Sequence, residues 1–180
     1  VLENKINLDD KINKYFPFSF KDNITLDFKS LANHTSGLER LPSNLDFTKA
    51  NPNNPYQAYD SSLLNAYLKE ELKLTQPTGE KYEYSNLGAG LLGYTLGLIE
   101  QSNYEKLLRD KIFKKYRMTS SCTSSKQAGK RLVKGLDNEG NEISNWDFDV
   151  LSGAGGILST ATDLSKFLNA QFDANNNELA

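Results

Sequence analysis

Residues 77–100 read PTGEKYEYSNLGAGLLGYTLGLIE and carry two structural signals in succession. Pro77-Thr78-Gly79 interrupts any regular element before it, and residues 81–85 form a short extended piece. From Leu87 onward the run is strongly apolar and predicts a helix. Four of its positions are glycine, and each costs about 1 kcal/mol relative to alanine in a helix interior unless another backbone packs closely there: Gly88, Gly90, Gly93 and Gly97. We therefore place this helix at the centre of the fold.

Helical spacing of apolar residues recurs on both sides of this segment. Residues 61–74 and 104–116 predict two amphipathic helices. A shorter capped helix is expected after Thr25, closing in a tight turn at Gly37, where glycine can take the left-handed conformation. Thr160 and the residue three positions later have capping-box spacing, which predicts a helix beginning after Thr160. Most of the regular structure is therefore expected to be helical.

Two regions break this helical pattern. Three prolines between residues 39 and 59 predict a long irregular surface loop: Pro42, Pro52 and Pro55. Residues 131–146 predict a small hairpin turned at residues 138–141, which read Asn-Glu-Gly-Asn. The fold class predicted from the sequence is thus mainly α, with long irregular loops and a small hairpin near residues 131–146.

Composition limits what the chain can do. It has 180 residues, 21 Lys and Arg, 23 Asp and Glu, and a net charge of −2, which predicts one structural unit over residues 1–180 and no nucleic-acid partner. The charge-free stretch over residues 85–99 is shorter than the roughly 20 apolar residues of a membrane span, so we expect no transmembrane segment. The sequence has no recognisable signal peptide. A small-molecule substrate fits this composition.

Tyr84-Ser85-Asn86 is the first group of residues with catalytic potential. Side chains two positions apart in an extended segment point to the same side, so the phenol and the carboxamide can face one pocket. A tyrosine works as an acid or base near neutral pH when cations, usually lysines, favour its phenolate. Asn86 would orient a substrate amide. The competing interpretation is that the pattern arose by chance and that Asn86 caps the glycine-rich helix.

Other polar residues carry weaker hypotheses. His34 is the single histidine, which excludes a multi-histidine metal site and favours a turn-stabilising role. A nucleophilic pair of Cys122 and His34 is a minor alternative, because nothing near Cys122 predicts a lowered thiol pKa. Asp147 and Asp149 could flank a site, although solvated strand carboxylates are the more common case.

A calcium loop and a metal site are both weakly supported. Asp173, Asn175 and Asn177 have the spacing of the first calcium-loop ligands, but Glu178 replaces the required glycine. We therefore interpret this stretch as a polar loop and predict neither a metal nor a cofactor.

Three blocks taken in order resemble a known family: residues 31–38 (LANHTSGL), 77–86 (PTGEKYEYSN) and 153–164 (GAGGILSTATDL). They are similar to the serine β-lactamases and penicillin-binding proteins, above all to class C β-lactamases, D-alanyl-D-alanine carboxypeptidases and their esterase relatives. The resemblance implies the helical, middle portion of the β-lactamase/transpeptidase-like α+β fold. It also implies a hydrolase that acts through an acyl-serine intermediate outside the cytoplasm, in the periplasm, cell envelope or medium. Tyr84 would be catalytic and Asn86 would bind a β-lactam, peptide or ester.

The family's nucleophile motif, Ser-x-x-Lys, is not found, because no lysine of this chain follows a serine by three positions. We expect that motif just before Val1 and the family's Lys-Thr-Gly or His-x-Gly strand after Ala180, so the chain alone is expected to be inactive. The alternatives are an inactive substrate-binding module and a purely structural helical module. One departure from the family is residues 115–118, Lys-Tyr-Arg-Met, where relatives commonly have Pro-Leu-Gly-Met, which leaves the turn geometry open.

Overall fold

A computed structural model describes residues 6–173, 175 and 176 of the chain. In this part, the α-helices Ser61–Ala66 and Tyr104–Leu108 continue directly as π-helical turns, Tyr67–Glu71 and Arg109–Phe113. Short 3-10 helices span Ile12–Tyr15, Lys21–Asn23, Gly129–Arg131 and Asp149–Ala154. The α-helices are α1 (Phe28–Ala32), α2 (Ser61–Ala66), α3 (Asn86–Ile99), α4 (Tyr104–Leu108), α5 (Ser125–Ala128) and α6 (Ala161–Gln171).

The glycine-rich helix α3 lies at the centre, as its composition predicts. Leu87 and Leu91 are fully buried, and the 3-10 helix Asp149–Ala154 packs along the glycine side of α3. A Cβ atom added to Gly90 would lie 2.6 Å from Cδ2 of Leu151. The glycines of α3 therefore allow the close backbone approach that the sequence predicted.

The predicted hairpin is present and small. Strand β1 (Gly135–Leu136) pairs antiparallel with β2 (Glu142–Ile143), with Gly135 opposite Ile143. The turn is organised by Asp137, whose carboxylate accepts hydrogen bonds from the amides of Glu139 and Asn141, both at 2.9 Å. The turn therefore begins one residue before the predicted position.

The segment between α1 and α2 corrects one prediction. It has no regular element over residues 39–59, as its prolines predict, but it is not merely a surface loop. Leu45, Tyr56 and Tyr59 are buried in the main hydrophobic core, and the Tyr59 hydroxyl donates to Asn44 Oδ1 at 2.8 Å. Aromatic anchors therefore hold this irregular chain against the helices.

Helix ends confirm some sequence signals and revise others. Thr160 Oγ1 accepts a hydrogen bond from the Asp163 amide at 3.2 Å and begins α6 as predicted. Helix α1 is capped by Asp27, which accepts from the Ser30 amide at 2.8 Å, rather than by Thr25. Asp27 lies directly before the first helical residue, where a side chain reaches the free amides of the first turn.

The departure from the family at residues 115–118 leaves the turn intact. The amide of Met118 donates to Phe113 O at 2.7 Å and that of Arg117 to Lys114 O at 3.2 Å, the two bonds of a Schellman motif. Arg117 has a φ of +55°, in the left-handed region that favours glycine. An arginine thus takes a glycine conformation at some cost in backbone energy.

Candidate active site

Tyr84 and Asn86 lie on either side of Ser85, a buried residue at the start of α3. In the extended piece before α3, Tyr84 is 46% exposed and Ser85 is 1% exposed. Asn86, the first residue of α3, is half-buried. Exposure therefore alternates along the triplet, as expected for an extended segment entering a helix. The phenol and the carboxamide both remain accessible to a molecule outside.

Ser85, not Asn86, caps α3. Its Oγ accepts a hydrogen bond from the Gly88 amide at 2.9 Å and donates to the carbonyl oxygen of Glu39 at 2.6 Å. The capping role considered for Asn86 is therefore wrong. Within the described part of the chain, the Asn86 side chain makes no hydrogen bond, so its amide is available for an external partner.

The turn after α1 fixes the extended piece from one side. The amide of Glu83 donates to His34 O at 2.8 Å, and the amide of Leu87 donates to Arg40 O at 3.1 Å. At Gly37, where φ is +77°, an added Cβ would lie 2.2 Å from the carbonyl oxygen of Gln76. The first two family blocks, far apart in sequence, are thus neighbours in space, and glycine is required at their closest approach.

Two side chains contact the Tyr84 ring. The His34 ring lies 4.6 Å away between centroids at an interplanar angle of 38°, and the Arg40 guanidinium carbon lies 6.0 Å from the Tyr84 centroid. His34 Nδ1 also accepts a hydrogen bond from the Ser85 amide at 3.2 Å. Among the described residues the cation beside this ring is Arg40, while the lysines expected from elsewhere in the protein stay a prediction.

The third family block packs on the other side of α3. A Cβ atom added to Gly153 would lie 2.5 Å from the Ala89 carbonyl oxygen, one turn after Asn86. This contact joins the third block to the helix that the second block begins. All three blocks therefore meet around the first turns of α3.

Cys122 and His34 do not form a nucleophilic pair. Cys122 pairs with Leu158 through the backbone, and its Sγ donates to Ser124 O at 3.5 Å. His34 is engaged with Ser85 and Tyr84 instead, so the structure does not unite the cysteine and the histidine.

Asp147 and Asp149 line one cavity but differ in their contacts. Asp147 accepts hydrogen bonds from the Ser125 amide at 3.0 Å and from Asn54 Nδ2 at 3.2 Å, so it is a tertiary tie rather than a solvated strand carboxylate. Burial and the nearby charge of Asp60 raise the pKa of Asp149. Neither carboxylate lies among the contacts of Tyr84.

The polar stretch after α6 is only partly described. Asp173 Oδ1 accepts from the Asn175 amide at 2.9 Å, while Asn177 lies outside the described residues. No group of three or more His, Cys, Asp or Glu residues suited to a metal ion occurs in the part of the chain that the structure describes.

Asp163 has a larger role than its capping position indicates. Its side chain is 1% exposed and accepts hydrogen bonds from the Ser120 amide at 2.7 Å, Ser121 Oγ at 2.9 Å and Lys166 Nζ at 2.8 Å. Burial raises the pKa of Asp163, but these hydrogen bonds, that of Lys166 foremost, outweigh burial and hold it below the ordinary 3.8. Asp163 therefore ties α6 to the loop that follows the Schellman turn.

The arrangement defines a class of protein. A phenol and a carboxamide lie two positions apart at the start of a buried glycine-rich helix, beside a His-Thr-Ser-Gly turn, within a helical fold of the β-lactamase type. The family model described as Beta-lactamase matches residues 1–180. The chain belongs to the β-lactamase family.

Curated relatives agree with this assignment. The chain is 31% identical over 196 residues to beta-lactamase-like protein 4 of Dictyostelium discoideum, covering 96% of this chain and 32% of that protein. It is 27% identical over 180 residues to protein flp of Staphylococcus aureus strain N315, covering 95% and 34% respectively. The chain thus spans about a third of the length of these relatives.

Solved structures share the fold. The β-lactamase/D-alanine carboxypeptidase from Yersinia pestis, complexed with citrate, is 26% identical and superposes with a TM-score of 0.73, over 94% of this chain and 47% of that one. A class C β-lactamase superposes with a TM-score of 0.77 at 23% identity, over 99% of this chain and 47% of that one.

Among the described residues, no helix has the length and apolar character needed to cross a membrane.

Proposed function

We propose that this chain is the helical portion of a serine hydrolase that cleaves an amide or ester bond through an acyl-serine intermediate. Tyr84 would transfer the proton and Asn86 would orient the substrate. The observation that carries the proposal is the pair itself: both side chains are accessible at the start of α3, and neither is used to hold the fold by a hydrogen bond within the described residues.

The chemistry needs a group that both takes and returns a proton. When a serine hydroxyl adds to the substrate carbonyl, its proton passes to a base. The leaving nitrogen or oxygen takes a proton as its bond to carbon breaks. The Tyr84 phenol can serve in both steps, and the Arg40 guanidinium lies over its ring.

The nucleophile belongs to the rest of the proposed hydrolase. Ser-x-x-Lys is not found in these 180 residues, so the proposal assigns the serine and its lysine to the intact protein. Substrate-contacting strands are assigned there as well. A β-lactam and a D-alanyl peptide are the substrate classes that the relatives' names support, and the family resemblance adds an ester. A location in the periplasm, envelope or medium is part of the same proposal.

A second candidate is an inactive helical module that only binds substrate or supports the fold. The purely structural version is disfavoured because a strand-end tyrosine and a helix cap would be expected to be used internally. Tyr84 is instead 46% exposed, and the cap is Ser85.

Tyr84→Phe in the full-length protein tests the proposal. Loss of the phenol oxygen should lower the acylation rate constant about 10²–10⁴-fold, the usual contribution of a general acid–base group. Acylation is measured by covalent labelling with a fluorescent penicillin or a fluorophosphonate, and substrate class by hydrolysis of a cephalosporin, a D-Ala-D-Ala peptide and a short-chain ester.

Tyr82→Phe is the matched control, because it makes the same chemical change two residues away on another exposed tyrosine. It should leave acylation unchanged. An unaltered rate in Tyr84→Phe would remove Tyr84 from the mechanism, and stoichiometric labelling of the 180-residue chain alone would contradict the assignment of the nucleophile elsewhere.

A further inference from the structure

His34 holds a backbone conformation that histidine does not favour. It follows α1 with a φ of +58°, in the left-handed region that costs most side chains about 1 kcal/mol or more. Glycine or asparagine would meet this backbone requirement at lower cost. The presence of an imidazole therefore calls for a role of the side chain.

The residue binds the extended piece at two places. Its carbonyl oxygen accepts from the Glu83 amide at 2.8 Å, and its Nδ1 accepts from the Ser85 amide at 3.2 Å. Amides two residues apart in an extended chain point to the same side, so His34 acts as the neighbouring strand, with one bond from the backbone and one from the side chain. Since Nδ1 accepts, the ring proton is assigned to Nε2.

The two hydrogen bonds to His34 come from the residues on either side of Tyr84, Glu83 and Ser85. The His34 ring also packs against the Tyr84 ring in a tilted arrangement, with 4.6 Å between centroids. Because the Tyr84 side chain is 46% exposed, it has few packing contacts to set its direction. The hydrogen bond from the Ser85 amide to His34 also fixes where α3 begins. It thereby sets the direction in which the Asn86 side chain points from the helix.

We propose that His34 is the positioning residue of this site, using its Nδ1 acceptor to hold Tyr84 and Asn86 in the orientation required for acyl transfer. The inference rests on the proposed function for its catalytic meaning. Its geometric content, a bond from the Ser85 amide to the imidazole, is independent of activity.

Two substitutions separate the side chain from the backbone. His34→Gly and His34→Asn both tolerate a positive φ, so neither strains the turn. Asparagine keeps an acceptor, Oδ1, at about the position of Nδ1, whereas glycine has none. A role limited to the backbone predicts that the two variants behave alike.

Amide exchange and tyrosine resonances of the full-length protein provide the direct readout. In His34→Gly, the Ser85 amide should exchange with solvent about 5–10-fold faster, as expected for the loss of one hydrogen bond, and the Tyr84 ring resonances should move. In His34→Asn, Ser85 exchange should stay within about twofold of wild type. Tyr82→Leu, which removes the other ring beside His34, should leave Ser85 exchange unchanged.

Kinetics of the full-length protein give the functional readout. His34→Gly should lower the acylation rate constant about 10–100-fold with little change in KM, because misplacement of a catalytic group by about 1 Å has this effect. His34→Asn should recover most of that loss. Thermal unfolding of both variants verifies that each remains folded.

Three outcomes decide the matter. Unchanged Ser85 exchange in His34→Gly overturns the inference, as does His34→Asn falling as far as His34→Gly in both exchange and acylation. If Tyr84→Phe leaves acylation intact while Ser85 exchange responds as expected, the proposed function fails and the positioning of Tyr84 by His34 stands.

Discussion

Replacing Gly153 by alanine tests the close packing of the 3-10 helix on α3. The added Cβ would lie 2.5 Å from the Ala89 carbonyl oxygen and 3.2 Å from Cα of Gly93. Both are backbone atoms of α3, so relief requires the whole segment, including buried Leu151, to move away. Such overpacking costs about 1–3 kcal/mol, while alanine's lower entropy in the unfolded chain returns about 0.4–1 kcal/mol. We expect the free energy of unfolding to fall by about 1–2 kcal/mol.

Urea unfolding followed by far-UV circular dichroism measures this loss, with an unchanged m-value. The melting temperature should fall by roughly 2–8 °C for a chain of this size. Gly88→Ala is the matched control, because the nearest atoms to its new Cβ lie at 3.4 Å, an ordinary contact, and alanine favours the helix by up to about 1 kcal/mol. A Gly153→Ala variant as stable as wild type would show that the two segments are not closely packed.

Two further substitutions probe the tie between α6 and the Schellman turn. Arg117→Gly should raise the free energy of unfolding by about 0.5–1 kcal/mol, because glycine takes a φ of +55° without strain. The same change at right-handed Lys114 should lower it by about 1 kcal/mol, and equal effects in urea unfolding would contradict this account. Asp163→Asn should cost about 2 kcal/mol at neutral pH, since hydrogen bonds to a buried charge are lost. Because the folded-state pKa of Asp163 is below 3.8, its charge stabilises the fold above that pH, and this contribution disappears as the pH falls through the folded-state value. Wild type should therefore lose its advantage over Asp163→Asn on acidification, and a constant difference down to strongly acidic pH would contradict the shift.

Local sequence signals predicted the elements that depend on neighbours in the chain. The hairpin turn required only residues 137–141, because the Asp137 side chain accepts hydrogen bonds from amides two and four positions ahead. The cap of α6 at Thr160 is equally local. Even the central place of α3 followed from its glycines, whose cost in a helix is repaid only by close packing.

For the candidate site, the sequence identified the residues, but the structure decided which residue caps the helix. Tyr84 and Asn86 were identified from an alternating pattern and a family resemblance, but the choice between Ser85 and Asn86 as cap depended on the carbonyl of Glu39, 46 positions away. Both residue types are good caps, so propensity could not decide between them. In the structure the cap is Ser85, because its hydroxyl accepts from the Gly88 amide and donates to the Glu39 carbonyl oxygen.

The sequence by itself therefore predicted the main helices, the hairpin and the candidate catalytic residues. Only the tertiary structure decided how those residues are held. His34 meets the Ser85 amide across 51 positions, and Asp147 meets Asn54 across 93. Such contacts follow from how the helices pack, a cooperative property of the whole core, whereas periodicity and capping are properties of a few consecutive residues.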